Sequence, residues 1–501
     1  MTEMNMRGGT LDQFLRCAAI CLAACLAAPL SSNAQPGETS AAASSQAIET
    51  IVRQHLASRN LPGAALAITR GGQVVQVSGY GRDSSGRPVT QDTPFYIASA
   101  SKAMTAVAVM QLVETGLIEL DAPVRRYLPE FTLADSRVDR ITVRHLLNHT
   151  SGMWEVGFRQ WSFPQPTSLT SAVARLDRVR LAADPGEEHR YFNPNYSVAA
   201  RLVEEVSDEN FDAYLRNHLF APLGMRATKT VDFVDEARDG LALGYVFAFG
   251  YGIRAPGGPF FINGAGGVVT TAADMAQWLA AQANGGVGPN GVRILATETL
   301  RETHTPSSTS RGYAFGWNVA PDGRISHTGG LPTHSAYVAF FEGGDGVVVL
   351  SPGGDSNAPR NIALAVLAHL QGKPILQPTS PLLPKLDVVA AVLLVVNWLF
   401  TVWVLGRTKV WVRHRRPAWR TVLVFAPYAF TAGAVLVGLP NLLGRVIPWS
   451  WIWLGYYYPI WTLFLLSLAG TSLLIIVFRI VAFVRNRRTM ISTVFVPAPP
   501  P

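Results

Sequence analysis

Three long apolar runs near the C-terminus constrain this chain more than any other feature. They cover residues 386–406, 421–443 and 458–484. Each is long enough to cross the roughly 30 Å hydrocarbon core of a bilayer as a helix. Buried helices of a soluble core are the alternative explanation, but they are rarely this long and this apolar. The sequence therefore predicts three membrane spans and a separate folded region before them.

Charge is distributed unevenly around these runs. The chain has 42 Lys/Arg and 34 Asp/Glu residues. Of these, 12 Lys/Arg residues but only 1 Asp/Glu residue lie within 385–501. The first loop, 407–420, and the tail, 485–488, are basic, whereas the second connection has only Arg445 among several Trp residues. The positive-inside rule then predicts that the basic loop and tail are cytoplasmic and that residues before the spans lie outside. Because topology explains the positive charge, we expect no nucleic-acid partner.

The N-terminus has the pattern of an export signal. Arg7 and Arg16 precede an apolar stretch over 17–30, and the small residues of Ser32-Asn-Ala34 follow. These features predict a signal peptide over 1–34. Lipoprotein processing at Cys25 is the alternative, and it also exports the chain. All three cysteines lie within the first 25 residues, so neither a disulfide framework nor a cysteine nucleophile is available to the rest.

The remaining sequence divides into segments of different composition. We predict a flexible leader at 35–46, a mixed α/β domain at 47–371, a Pro-rich linker at 372–385, a three-span region at 386–488 and a tail at 489–501. Within the domain, periodicity predicts a strand pair over 63–77, helices over 101–114, 195–206 and 272–283, and strands over 335–341 and 346–350.

Ser99 and Lys102 form a candidate catalytic pair. The two residues are three positions apart at the start of a predicted helix, so their side chains share one helix face. A serine hydroxyl needs a base to become a good nucleophile, and a desolvated lysine with a lowered pKa is such a base. Taken alone, Ser-x-x-Lys is a weak signal, because both residues are common on solvated helix faces.

Two further motifs follow in order along the chain, Tyr191-Phe-Asn193 and His327-Thr-Gly-Gly330. Together with Ser99-Ala-Ser-Lys102 they resemble the class C β-lactamase and penicillin-binding-protein family, which includes D-alanyl-D-alanine carboxypeptidases and esterases. The resemblance covers 47–371 and not the spans. It implies an antiparallel sheet flanked by helices beside a helical subdomain.

The resemblance also implies roles for individual residues. Ser99 would form an acyl-enzyme, with Lys102 and Tyr191 sharing the proton transfers. Asn193 would hydrogen-bond Lys102 and a substrate amide. The backbone N–H groups of Ser99 and Gly330 would form the oxyanion hole.

The remaining residues of the third motif would bind substrate. Gly329 would allow close approach of a substrate backbone, and His327 and Thr328 would face a substrate carboxylate. Many β-lactamases have Lys at the position of His327. A histidine with a pKa near 6.5 supplies a weaker, pH-dependent charge, which favours a peptidase or esterase over a dedicated β-lactamase.

Other patterns have plainer explanations. His145 and His149 have a spacing that suits a metal, but no third ligand is evident, so a structural role is expected. Ser101 has Met104 three residues later and is a weak nucleophile candidate. Asn397, within the first span, is expected to hydrogen-bond another span. We expect no metal and no cofactor.

The predicted function is hydrolysis of a peptide, amide or ester, with cell-wall-derived molecules among the candidate substrates. A non-catalytic binding module that signals through the spans is the alternative. An intact set of Ser99, Lys102, Tyr191 and Asn193 favours the hydrolase, because a binding module could lose any of them.

Overall fold

A computed structural model describes residues 36–154, 158, 160–234, 240–375, 377, 382–413, 418–443 and 451–494. The predicted signal peptide lies outside these residues. Residues up to Thr50 form one unit and Ile51–Pro501 a second. In the first unit, residues 36–50 are helical. This differs from the predicted flexible leader, and the physical reason is that the segment after Gly37 is rich in Ala, the strongest helix former, and free of Pro and further Gly.

The helices and strands have the following bounds. The α-helices are Pro36–Ser58, Lys102–Glu114, Val143–Leu147, Leu169–Ala174, Pro194–Ser207, Phe211–Leu215, Ala221–Leu223, Ala272–Ala283, Thr297–Thr303, Asn357–Leu370, Leu383–Gly406, Thr408–Arg413, Ala418–Gly433, Leu439–Leu443, Trp451–Tyr457 and Pro459–Val494. The strands are β1 (Gly63–Arg70), β2 (Gln73–Gly81), β3 (Phe95–Tyr96), β4 (Lys229–Thr230), β5 (Tyr245–Ala248), β6 (Tyr251–Arg254), β7 (Val268–Thr270), β8 (Asn318–Val319), β9 (Ile325–Gly330), β10 (Ser335–Phe340) and β11 (Asp345–Ser351).

A six-stranded antiparallel sheet forms the centre of the second unit, in the order β2-β1-β11-β10-β9-β8. β1 and β2 are joined by Gly71-Gly72, whose φ angles are +54° and +74°, values that glycine adopts without steric penalty. The predicted strand pair over 63–77 is confirmed. β10 and most of β11 are buried, as expected of the middle of a sheet that is covered by helices.

Helices pack against this sheet and against one another. Ala272–Ala283 packs against β1 and β11, and Asn357–Leu370 against β10 and β11. Lys102–Glu114, which we call the nucleophile helix, packs against Pro194–Ser207 in the helical part of the domain. Almost every residue of the nucleophile helix is buried, which makes it the centre of the apolar core. The predicted fold class is confirmed.

Among the residues that the structure describes, three helices are long and apolar enough to span a membrane: Leu383–Gly406, Leu423–Leu442 and Pro459–Asn486. We call them the first, second and third span, and they match the three predicted runs. The second span includes a wider π-helical turn at Ala434–Gly438. Asn397 Nδ2 of the first span donates to Thr471 Oγ1 of the third at 3.1 Å, which confirms the predicted hydrogen bond between spans.

The first span begins against a hairpin of the domain. β5 and β6 are joined by Phe249 and Gly250, with φ angles of +52° and +80°. The Phe249 N–H donates to Asp387 Oδ2 at 2.8 Å, and a Cβ on Gly250 would lie 3.0 Å from Pro384 Cγ. A cavity of about 590 Å³ adjoins this junction and is lined by residues of both the domain and the spans.

Candidate active site

The local backbone sets Ser99 at the start of the nucleophile helix. The Ile97 N–H donates to the Val268 carbonyl at 3.1 Å, which ties this segment to β7. Ala98 then has a φ of +48°, a left-handed conformation that non-glycine residues rarely adopt. A single 3-10 turn, Ala98–Ser101, follows and leads directly into the helix. The turn presents Ser99, which is partly exposed, at the edge of a cleft.

Ser101 has a structural role in this turn. Its buried hydroxyl donates to the Ala98 carbonyl at 2.6 Å and accepts the Val268 N–H at 3.1 Å. The first hydrogen bond lies within the turn, and the second joins the turn to β7. Because this hydroxyl is buried and already paired, Ser99 is the better placed of the two serines to attack a substrate.

Lys102 is fully buried and its Nζ has three oxygen neighbours. They are Asn193 Oδ1 at 2.8 Å, the Ala265 carbonyl at 2.8 Å and Ser99 Oγ at 3.1 Å. An amide oxygen and a carbonyl can only accept hydrogen bonds, whereas a hydroxyl can donate or accept. A neutral amine would direct its two protons to Asn193 and Ala265. Its lone pair is then left for the Ser99 hydroxyl proton.

The surroundings of Lys102 favour that neutral amine. Burial lowers the pKa of Lys102 well below its usual range, because the charged form loses its hydration. The rings of Tyr191 and Tyr196 lie near Nζ, with centroids at 4.9 and 5.7 Å. These π-faces can stabilise the ammonium that forms when the amine takes a proton. The site therefore suits a base that is neutral at rest and charged only briefly.

Tyr191 remains a phenol at neutral pH. Burial raises its pKa above the usual value, and a hydrogen bond with the Ser99 side chain only partly opposes this effect. A phenol can donate a proton and be reprotonated, but it is not a resident phenolate base. The geometry thus suits Lys102 better than Tyr191 as a base, and it suits Tyr191 as a proton donor beside Ser99.

His149 supports the segment that carries Tyr191 and Asn193. Its buried Nδ1 lies 3.3 Å from the Phe192 nitrogen and 3.0 Å from Asn195 Nδ2, and both of those groups can donate. Burial lowers the pKa of His149 well below its usual value, because the charged imidazolium would lose its hydration. His149 is thus a neutral acceptor that positions the catalytic segment.

The other histidine of that pair is also structural. The Thr142 N–H donates to His145 Nδ1 at 3.2 Å, which caps the helix Val143–Leu147. Within the part of the chain that the structure describes, no three His, Cys, Asp or Glu side chains converge as metal ligands.

β9 lies directly beside the nucleophile turn. A Cβ on Gly329 would be 2.0 Å from the Ile97 carbonyl oxygen, so only glycine permits this approach. At Gly330 a Cβ would meet nothing closer than Ser356 Cβ at 3.6 Å, and this residue lines the cleft together with Ser99. The placement brings the two predicted oxyanion-hole residues to one cleft.

The cleft itself has a volume of about 120 Å³ and two kinds of lining. Ser99, Asn193 and Gln160 supply polar groups, and Asn193 Nδ2 donates to Gln160 Oε1 at 3.3 Å. The rest of the lining is mostly apolar and includes two tryptophans, Trp161 of the domain and Trp453 from the connection between the second and third spans.

Comparison with known proteins agrees with this geometry. Residues 48–374, well over half of the chain, match the family described as Beta-lactamase. The chain belongs to the beta-lactamase family. Penicillin-binding protein 4 of Amycolatopsis lactamdurans is 31% identical over 285 residues, which cover 52% of this chain and 71% of that protein. The putative penicillin-binding protein PbpX of Bacillus subtilis (strain 168) is 30% identical over 330 residues, covering 64% and 78%.

A solved structure shows the same beta-lactamase fold. The octameric penicillin-binding protein homologue from Pyrococcus abyssi has a TM-score of 0.57 and 26% identity, and the match covers 66% of this chain and 77% of that one. Members of the beta-lactamase family with this fold are generally serine hydrolases. The match of 48–374 ends before the three spans, as the motifs also predicted.

The side chain of His327 is uncharged, whereas the sequence predicted a partly charged imidazole at this position. Burial lowers the pKa of His327 to about 3, so the imidazole is neutral at neutral pH. Its Nδ1 lies 2.9 Å from the Thr328 carbonyl and its Nε2 3.1 Å from the Tyr313 hydroxyl. The pH-dependent positive charge expected from the sequence is absent, and the physical reason is loss of hydration.

Several residues of the site were not identified from the sequence. The Ala265 carbonyl lies beside Lys102 Nζ, and the Tyr313 hydroxyl lies beside His327. Trp161 and Trp453 belong to no motif. Only the folded chain brings a residue of the span region to the catalytic domain.

Proposed function

We propose that this protein is a membrane-anchored serine hydrolase that acts through an acyl-enzyme at Ser99. The proposal rests on the hydrogen bonds of Lys102. Asn193 Oδ1 and the Ala265 carbonyl can only accept, so they take the two amine protons and leave the lone pair for the Ser99 hydroxyl. Membership of the beta-lactamase family and the three spans support it. The substrate is a peptide, amide or ester.

Acylation follows from the positions of these groups. As the Ser99 oxygen forms a bond to the substrate carbonyl carbon, its proton passes to Lys102 Nζ. The carbonyl electron pair moves to oxygen, where the N–H groups of Ser99 and Gly330 stabilise the negative charge. When the intermediate collapses, the leaving group takes a proton from Tyr191, and the Lys102 ammonium returns one to the phenolate.

Deacylation uses the same groups in reverse. A water molecule attacks the acyl carbon while its proton passes to the Tyr191–Lys102 pair, and the Ser99 oxygen leaves with a proton as the acid product departs. Each step leaves Ser99, Lys102 and Tyr191 as they began. Asn193 holds Lys102 in position throughout.

An ester or uncharged amide fits this cleft better than a β-lactam. β-Lactams and D-alanyl-D-alanine peptides carry a carboxylate, which a positive side chain would bind. His327 is neutral, and the described residues that line the cleft include no Arg or Lys. The neutral cleft therefore favours a carboxylesterase of this fold over a β-lactamase. A non-catalytic penicillin-binding module, the alternative, would also need a positive side chain to bind the carboxylate of penicillin.

Labelling of the full chain in detergent tests the proposal. A fluorophosphonate–rhodamine probe should label wild type and Ser101→Ala, and it should fail to label Ser99→Ala. Ser101 is the neighbouring serine of the same turn, and loss of its hydrogen bonds with Ala98 and Val268 should slow the labelling of Ser101→Ala without abolishing it. Labelling of Ser99→Ala at the wild-type rate would refute the assignment. A panel of nitrocefin, a D-Ala-D-Ala peptide and p-nitrophenyl acetate should show fastest turnover of the ester.

The proposed location of the domain is outside the cytoplasm, following the signal peptide and the positive-inside rule. Two exposed positions allow a direct test, Lys373 before the first span and Lys409 in the basic loop. In intact cells a membrane-impermeant maleimide should label Lys373→Cys and spare Lys409→Cys, with the unchanged chain as background. The reverse labelling pattern would contradict this topology.

A further inference from the structure

The connection between the second and third spans reaches the catalytic cleft. Its helix, Trp451–Tyr457, ends two residues before the third span begins at Pro459. The Trp453 indole stacks on the Trp161 indole, with 4.6 Å between ring centroids and 10° between planes. It also meets the edge of Phe260, at 5.2 Å and 79°. The helix is thus packed on the domain through aromatic contacts.

These contacts lie at the catalytic site and not at a remote surface. Trp161 and Trp453, which we call the aromatic wall, line the same 120 Å³ cleft as Ser99. Ile262 and Leu331 are the other large apolar residues of the lining. Trp161 is 6% exposed and belongs to the domain core, so it gives Trp453 a fixed surface to pack on.

We propose that Trp453 is a substrate-contacting residue, so that the membrane region completes a cleft for esters or amides with a small apolar substituent. The inference rests on the proposed serine hydrolase and names a substrate class for it. The binding of an apolar group becomes more favourable in proportion to the apolar area that is removed from water, and the flat face of an indole buries a large area. A substituent of a few methylene groups suits the size of the cleft, because a larger one would exceed 120 Å³.

Reversible inhibitors separate this inference from the catalytic claim. Methylboronic and butylboronic acid add to the Ser99 oxygen through boron and are not turned over. Their inhibition constants can be measured by competition with fluorophosphonate–rhodamine, using the full chain in lipid nanodiscs. In wild type we expect butylboronic acid to bind more tightly than methylboronic acid.

Substitution of the wall should change that preference. Trp453→Ala should reduce the butyl-over-methyl ratio about tenfold, and Trp453→Phe should restore most of it. Methylboronic acid should bind all variants within about twofold, because it does not reach the wall. Trp451→Ala is the matched control, since Trp451 lies on the same helix and does not line the cleft.

The outcomes distinguish the two proposals. If the probe labels Ser99 in every variant and the ratio in Trp453→Ala stays within twofold of wild type, the inference about Trp453 is overturned. An equal fall of the ratio in Trp451→Ala would overturn it too, because the effect would then belong to the helix as a whole. If wild type binds neither boronic acid and is not labelled at Ser99, the proposed function itself fails.

Discussion

The Nε2 atom of His327 lies 3.1 Å from the hydroxyl oxygen of Tyr313, and both side chains are buried. Since the Thr328 carbonyl near Nδ1 can only accept, Nδ1 carries the proton and Nε2 accepts from Tyr313. Both ring nitrogens of the neutral imidazole are thereby satisfied. A second proton would add a charge in a site that already contains Lys102.

Acid should destabilise the protein partly through His327. Its pKa falls from 6.5 to about 3 on folding, so between these pH values the unfolded chain binds a proton that the folded chain does not. Stability therefore falls as pH drops through this window, by roughly 2 kcal/mol between pH 6.5 and 4.5. Thermal melts should show a smaller acid-induced loss in His327→Gln. An equal loss in both proteins would contradict a neutral buried His327.

Reaction at Ser99 should have an acidic limb set by Lys102. Because burial lowers the pKa of Lys102, the amine loses its proton at a lower pH than an ordinary lysine does, and it becomes protonated as pH falls through that lowered value. The rate of Ser99 labelling should thus reach its plateau well below the pH at which an ordinary lysine is deprotonated, and it should decline as pH falls. A rate that keeps rising to about pH 10 would mean an ordinary lysine.

Lys102→Arg should be almost inactive. A guanidinium stays protonated and cannot accept the Ser99 proton, so labelling should slow by about 10³-fold. The matched comparison is Ser101→Ala, which leaves the base intact. Near-normal labelling of Lys102→Arg would assign the base to another residue.

Gly329→Ala and Gly330→Ala should differ sharply. The new methyl group at 329 would collide with the Ile97 carbonyl oxygen, which must move and would take Ser99 out of line with β9. At 330 the methyl group has space, and the backbone N–H is retained. We expect loss of Ser99 labelling and a lower melting temperature for Gly329→Ala only. Equal behaviour of the two variants would contradict the close approach.

Asp387 should hold the β5–β6 hairpin against the first span. In Asp387→Ala the Phe249 N–H loses its acceptor, which costs about 0.5–1.5 kcal/mol for a partly buried hydrogen bond. Hydrogen exchange over residues 245–254 should accelerate by up to about tenfold. Asp387→Asn keeps an oxygen acceptor and should exchange like wild type. Unchanged exchange in Asp387→Ala would show that the hairpin is held by other contacts.

Much of the fold was predictable because its signals are local. The length and apolar character of the three runs were enough to predict the spans. The helix predicted over 272–283 has the same bounds in the structure. The nucleophile Ser99 was proposed through a combination of motifs, and the structure brings these motifs to one cleft.

Other features depend on contacts between distant segments and could not be predicted. The neutral state of His327 follows from burial, which no motif encodes. The roles of the Ala265 carbonyl and Trp453 arise from chain segments that meet only after folding. The helix over 36–50 was missed because Pro, Gly and Ser near its start favoured a loop.

The packing of Trp453 on Trp161 restricts which of the three hydrophobic helices could be removed without losing this contact. A chain that crosses a bilayer alternates sides, so the segment entering the first span and the connection after the second emerge on the same face. Removing either of these two helices would carry Trp453 to the opposite face, where it could not meet the beta-lactamase domain. Removing the third would leave the contact possible. The three helices are therefore unequal, because the contact of Trp453 with the cleft depends on the first two together and not on the third.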